Sequence, residues 1–503
     1  FAGANYSHVD GTETWNNENY QFPQSLFDRE SYSKNSYQNH QEYMQFRYQN
    51  QKGKRYWVGK FTLVNLSTPR NASSGFAKES TETDVFSNIR KKSLSPKIDL
   101  NANLPLSKNQ TLTLGVHGKY SANSYHRLYQ EQPFETMTDE DEKALSFQLS
   151  AIYNYFSQKH SLSVELFHYH DVWNADYSGN CELWQHLWKG ESLAFFSYNF
   201  QASRRLSLKT RIGLDWLQYH LHGDNSFSQL SPRINTNVQY QLNKGMLLWS
   251  FNFVNSNHGM DVINRAMIQV NSHMMEKGMP ELKKSHDINT YLYYMGRFNR
   301  LSVSAIGQFR YNHHPVTDDY YLDEANGKIV KTYSNGGNAQ YYSAILALQY
   351  KLCKFANLSG DIRYNHAEVK TTWSKHNNNL TGNLGLNMFM GDFALKPYLH
   401  FGKKSLDEAA LVISKTPIDY GMSCSYSRGN LYVELQAASP FKKQEKQYWL
   451  DLPIYSYSKS IKDQTASQYA SIKVAYSFDF GRKTQKVEKD VNKNINSSLL
   501  RVE

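Results

Sequence analysis

The feature that most constrains this chain is an alternation of apolar and polar residues with a period of two, repeated along its whole length. In 471–480, SIKVAYSFDF, residues Ile472, Val474, Tyr476, Phe478 and Phe480 share one face, while Lys473, Ser477 and Asp479 share the other. In 233–242, RINTNVQYQL, residues Ile234, Thr236, Val238, Tyr240 and Leu242 oppose Arg233, Asn235, Asn237, Gln239 and Gln241. The segments KIDLNANL at 97–104, NLSGDIRY at 357–364 and NLYVELQ at 430–436 repeat the pattern. Successive side chains of a strand point to opposite faces, so each segment reads as a strand with one greasy face and one wet face. About twenty such segments recur, each close to the roughly nine to eleven residues that a tilted strand needs to cross a bilayer.

The connections between these segments alternate in length. Short polar turns fall at 107–110, 157–160, 202–205, 242–245, 297–300, 390–393 and 427–430. Between them come longer stretches at 122–142, 171–190, 256–286, 313–339, 404–418 and 439–467, which read as loops. Short turns at one end and long loops at the other are the asymmetry of an outer-membrane barrel, whose long loops face outward. A set of soluble β-sandwiches also alternates, but it does not explain some twenty strands of one length with every short turn at one end. A soluble barrel of that size would have a lumen too wide for side chains to fill. The lumen is therefore expected to be wet, with the polar face inward and the apolar face on lipid. The fold class expected is an all-β transmembrane antiparallel barrel with short periplasmic turns and long extracellular loops.

Composition agrees. There is no run of about 18 apolar residues, so no membrane helix is available, but a barrel shows only every second residue to lipid and can have low mean hydropathy. Aromatics make up 14% of the chain, with 37 Tyr, and Trp249, Phe251, Tyr240, Tyr364 and Tyr476 on the apolar phase suit interfacial girdles. The net charge of +11 is dispersed over turns and alternate positions, which favours a solvated face over a nucleic-acid groove. Arg211, Arg310, Arg363 and Asp361 lie on the polar phase. Cys181, Cys353 and Cys424 are far apart and form no CxxC, which supports neither a disulfide framework nor structural zinc.

No GxSxG, HExxH, Walker or Rossmann pattern is present, so an enzyme is not expected. His168 and His170, and His220 and His222, have the i, i+2 spacing that puts two rings on one strand face. His168 and His170 continue the lipid-side phase of Leu162, Val164 and Leu166, which makes rim histidines the better reading, and no metal or cofactor is assigned. Trp173, Trp184 and Trp188 are candidates for a ligand platform, with loop packing as the alternative. The acidic run TDEDEK at 138–143 lacks calcium-loop spacing and is expected to be a solvated loop.

The segment GMPELKKSHDI at 278–288 resembles the GNP-x-L-K-P element of TonB-dependent outer-membrane receptors, with Gly278, Pro280, Leu282 and Lys283 matching. Met279 and Lys284 stand where that element usually has Asn and Pro. SPRINTNVQYQLNKGMLLWSFNF at 231–253 is similar to the preceding hairpin, and the closing YSFDFGRKTQKVEKDVNKNINSSLL is similar to the C-terminus of receptors from the Bacteroidetes. The resemblance implies twenty-two strands in the full receptor, a plug inside the barrel and energised import of a siderophore, cobalamin or glycan across the outer membrane of a Gram-negative bacterium. It also implies several partners: the TonB complex through an N-terminal region, outer-membrane lipid or lipopolysaccharide, an extracellular small-molecule or oligosaccharide ligand, and a surface lipoprotein. The opening FAGANYSHVDGTETW already reads as a strand, so the expectation is a barrel over 1–481 without a plug, truncated at its N-terminus, followed by a periplasmic tail over 482–503. A passive porin or a surface adhesin anchored by the barrel is the alternative function.

Overall fold

The structure is a computed structural model that describes residues 2–22, 25–224, 226–256, 258–441, 444–462 and 468–477. Its large sheet has 24 strands; the hairpin strands Lys403–Leu406, Ile413–Thr416, Glu445–Asp451 and Tyr455–Lys462 belong to loops, and the other twenty form the wall of an antiparallel barrel. The short turns expected from the sequence are where the wall strands reverse, for example at Lys108–Asn109 between Glu82–Ser107 and Gln110–Glu131.

The facing of the strands is set by the alternation. One cross-strand row runs through Ser197, Arg211, Asn235, Asn252, Asn289 and Arg310; the next row up runs through Phe196, Ile212, Ile234, Phe253, Ile288 and Tyr311. The polar row closes on itself. Arg211 donates to Glu165 at 2.5 Å, Ser197 to the same carboxylate at 2.8 Å, and Arg310 to Asp287 at 2.7 Å. The apolar row has no protein over it: Ile212 is 49% exposed, and elsewhere on this outer face Ile362 is 61% and Leu380 69% exposed. A band of bare Leu, Ile and Phe around the whole outer surface is far larger than a water-soluble surface carries, and lipid is the solvent that fits it.

The structure corrects the sequence reading in three places. Many strands are far longer than a bilayer crossing, with Ser25–Lys52 reaching 28 residues and Glu82–Ser107 reaching 26. The stretches 122–142 and 171–190 are not loops: they continue the wall as the hairpins Gln110–Glu131 with Phe134–Phe156 and His160–Gly179 with Leu183–Gln201. Above the membrane no lipid demands an apolar outer face, so alternation fades although the pairing goes on. For the same reason the acidic run is no solvated loop. Thr138, Glu140 and Glu142 point inward and are buried, with Tyr177 donating to Glu140 at 3.0 Å and Asn123 donating to Glu142.

The ring closes in an unexpected way. Glu13–Tyr20 of the first strand pairs with Tyr455–Lys462, a loop hairpin strand. The last described strand, Tyr469–Tyr476, pairs with Leu431–Ala438. Among the described residues nothing pairs Tyr469–Tyr476 with the lower half of the first strand. Ile472, Val474 and Lys473 all lie exposed on this strand. Phe478, Asp479, Phe480 and the tail 482–503 lie outside the described residues.

Candidate functional site

The extracellular mouth of the barrel is roofed by its own loops. Segment 258–284 carries a helical turn, Met260–Ile263, and the strands Met267–Gln269 and Met274–Lys277; segment 314–337 carries the hairpin Thr317–Asp323 with Lys328–Ser334. These four strands make a second sheet, in which Met274–Glu276 runs parallel to Ile329–Lys331. Parallel pairing of segments so far apart in sequence requires both loops to fold over the lumen together.

Two apolar clusters hold the roof to opposite stretches of wall. In the first, Met260, Ile263, Ile268 and Leu282 pack on Trp173, Tyr177, Leu187 and Leu221. In the second, Met274, Tyr320 and Ile329 pack on Tyr20, Ala339 and Val369 of the wall and on Leu411 and Tyr455 of neighbouring loops. Between the clusters the contact is polar and buried. Arg127 donates to the carbonyls of Gln269 and Val270 at 3.1 and 2.7 Å. Arg29 bridges Glu18 at 2.9 Å and Glu131 at 2.7 Å, while Tyr455 donates to Glu18 at 2.8 Å and Ser272 to Glu131 at 3.2 Å. Buried charges are costly unless each is paired: Arg29, Glu18 and Glu131 pair with one another within the wall, while Arg127 finds its carbonyl acceptors on the roof.

Within the roof, Lys331 lies 3.4 Å from Asp318 and 3.5 Å from Glu276. Burial, aided by Glu276 and opposed by Lys331, pushes the Asp318 carboxyl up to about 6. The two carboxylates hold the Lys331 ammonium well above its ordinary range against the effect of its burial.

The three tryptophans do not form one platform. Trp173 faces inward, buried in the first cluster with the Lys189 ammonium 5.9 Å from its ring centroid. Trp184 and Trp188 lie on the outward phase, Trp184 stacked on His186 at 6.0 Å and Trp188 edge-on to His170 at 5.6 Å. The residues of the 278–288 element do come together, at the hinge between roof and wall. Gly278 is pressed against the helical turn, where a Cβ would sit 2.3 Å from the Asn264 carbonyl oxygen. The Pro280 carbonyl accepts from Tyr219 at 3.5 Å, and Leu282 is buried in the first cluster. The Lys283 carbonyl accepts from His258 at 2.7 Å, and its amide donates to Asn335 at 3.2 Å.

No family model and no curated protein matches the sequence. Solved structures do match. The copper transporter OprC aligns with a TM-score of 0.56 at 10% identity, over 90% of this chain and 80% of that one. The ferric enterobactin receptor PfeA of Pseudomonas aeruginosa aligns with a TM-score of 0.52 at 11% identity, over 92% and 81%. The FpvAI–pyocin S2 complex gives 0.51 at 8% identity, over 90% and 72%. The fold is that of a TonB-dependent receptor barrel. At these identities the likeness is one of fold.

In this receptor-type barrel, sequence reasoning passed over the residue that fastens the hinge. Lys284, a departure from the usual element, is fully buried and donates to Asp215 at 2.9 Å. Asp215 also accepts from Arg233 at 2.6 Å, and Arg233 donates on to Glu191 at 3.1 Å. The available signal was the inward phase of Asp215 and Arg233 on neighbouring strands; their partner on the far side of a long loop had none.

Proposed function

We propose that the chain is the barrel of an outer-membrane receptor that imports a scarce nutrient by TonB-dependent transport. The observation that carries this reading is the roof. A barrel of twenty strands encloses a lumen too wide for side chains to fill, yet its extracellular mouth is crossed by a sheet anchored on both sides. A passive porin works through an open mouth, whereas a receptor captures its ligand first and admits it later. The roof and the polar wall beneath it would take the ligand, a siderophore, metal complex, cobalamin or glycan. A plug carried by the same polypeptide would gate the lumen, and the TonB complex would supply the energy. Of the three tryptophans, only Trp173 faces inward, and because it is packed under the roof it would meet a ligand only once the roof lifts.

Two measurements test the reading. Reconstituted in a planar bilayer, the complete receptor is expected to be silent, and steady ion conduction would favour the porin. A strain lacking the gene is expected to lose growth on one limiting nutrient and to regain it with the intact gene; unchanged growth on every nutrient tried would count against uptake.

A further inference from the structure

We propose that the lumen just below the roof binds a solute carrying two or more carboxylate or phosphate groups, through a cationic patch on the inner wall. The proposal rests on the reading of the chain as a receptor that takes its ligand under the roof, and it narrows that ligand to a polyanion.

The patch spans four consecutive wall strands, Ser25–Lys52, Arg55–Lys78, Glu82–Ser107 and Gln110–Glu131. Arg47 stands directly opposite Lys60, and Lys97 directly opposite Lys119. The two pairs are neighbours, because Lys60 faces Asp99 across the next strand and Thr62 faces Lys97. Their direction follows from the residues beside them. Phe46, Tyr48, Phe61 and Ile98 are exposed on the lipid side, so Arg47, Lys60, Lys97 and Lys119, on the alternate phase, point into the lumen. The row of Lys97 and Lys119 runs on through Ser146 and Asp171 to Lys189. The Lys189 ammonium lies 5.9 Å from the ring centroid of Trp173, which is packed against the roof. The patch therefore opens into the space that a ligand enters when the roof lifts.

Elsewhere the inner wall pairs its cations. Arg211 meets Glu165 at 2.5 Å, Arg233 meets Asp215 at 2.6 Å and Arg310 meets Asp287 at 2.7 Å. Here one carboxylate, Asp99, lies among four cations, and it is bonded to His117 at 2.8 Å. Asp171, farther along the row, pairs with Lys189 at 3.9 Å. Among the described residues Arg47, Lys60 and Lys119 make no ion pair. Like charges directly opposite each other destabilise a strand pair, and an anion between them turns that cost into attraction. From the spacing and rise of strands, the centres of the two pairs lie about 12 Å apart. A ligand with two anionic groups can therefore engage both pairs, whereas a neutral glycan would leave every one of these cations unmatched.

The test titrates the chain, folded in phosphatidylcholine nanodiscs, with citrate as an anionic probe and maltotriose as a neutral one, read by calorimetry. The wild type is expected to bind citrate more tightly than maltotriose, and less tightly as salt rises. R47Q/K60Q/K119Q is expected to bind citrate at least about ten-fold more weakly, and K60R/K119R to keep the wild-type affinity. Heat-modifiable migration on gels reports folding of each. Without citrate the glutamine variant should be at least as stable as wild type, because like-charge contacts are relieved; a purely structural role would make it less stable. Should the triple variant not fold, Lys119→Gln alone decides by the same two readings. Equal citrate affinity in wild type and glutamine variant would overturn the proposal. The complete receptor separates a solute from acidic side chains of a plug. If R47Q/K60Q/K119Q conducts steadily in a planar bilayer where the wild-type receptor is silent, the patch holds a plug and the proposal falls. In a strain lacking the gene, the variant is expected not to restore growth on the nutrient that the wild-type gene restores. Full restoration by the variant overturns this inference alone, whereas a strain that grows unchanged without the gene overturns the receptor reading.

Discussion

At the scale of single residues, the roof depends on groups that have no substitute. Asp215 is the shared acceptor of Lys284 and Arg233. Asp215→Ala leaves the fully buried Lys284 ammonium facing an empty site, and breaking a buried pair from one side costs about 3–5 kcal/mol. The loss should appear as a lower midpoint of unfolding in urea, with heat-modifiable migration as the readout. Gly278→Val is expected to lift the helical turn from the hinge, because its side chain would have to occupy the space of the Asn264 and Val262 carbonyls; faster proteolysis within 258–284 would report it. Asp318 gives the roof a pH dependence. Its carboxyl is raised from 3.8 to about 6 on folding, so the folded roof favours the protonated form. That contribution is complete below the ordinary carboxylate range and is lost as pH rises through about 6. Cleavage of the 317–334 hairpin by an added protease should therefore quicken between about pH 4 and pH 6, and Asp318→Asn should flatten that rise.

At the scale of elements, the two faces of each strand make a direct prediction. Leu348→Arg, on the bare outer face, should cost about 2–4 kcal/mol at mid-membrane, whereas Asn237→Arg, toward the lumen, should cost much less. Equal costs measured by reversible unfolding into urea would contradict the assigned facing. The wall was legible in the sequence for the same physical reason. Lipid imposes an apolar residue at every second position, and short polar turns such as Gly391–Asp392 mark each reversal. The hairpins at 122–142 and 171–190 were not legible as strands, because above the bilayer both of their faces carry polar and aromatic groups. The roof was less legible still. Its strands are three to seven residues long, too short to show a period, and the parallel pairing of Met274 with Ile329 follows from no local pattern. The 278–288 element stood out through resemblance, yet its strongest contact is made by the residue that departs from the pattern, Lys284.

For the whole molecule, the roof and the wall form one unit. Removing the hairpin 317–334 and joining its ends would take away half of the second sheet together with the Lys331–Glu276 contact. Prepared without the proposed plug, such a barrel is expected to conduct ions persistently in a planar bilayer where the same barrel with its roof intact does not. An equally silent deletion would show that the lumen is blocked lower down. The closure of the ring carries a further consequence. Among the described residues, the free side of the first strand is paired over Glu13–Tyr20, and its neighbour there, Tyr455–Lys462, comes from a loop. Two residues of this contact, Tyr20 and Tyr455, also pack on the roof, and Glu18 beside them accepts from Tyr455. Seam and lid thus share one clasp, and a substitution that loosens it, such as Tyr455→Ala, is expected to loosen both together.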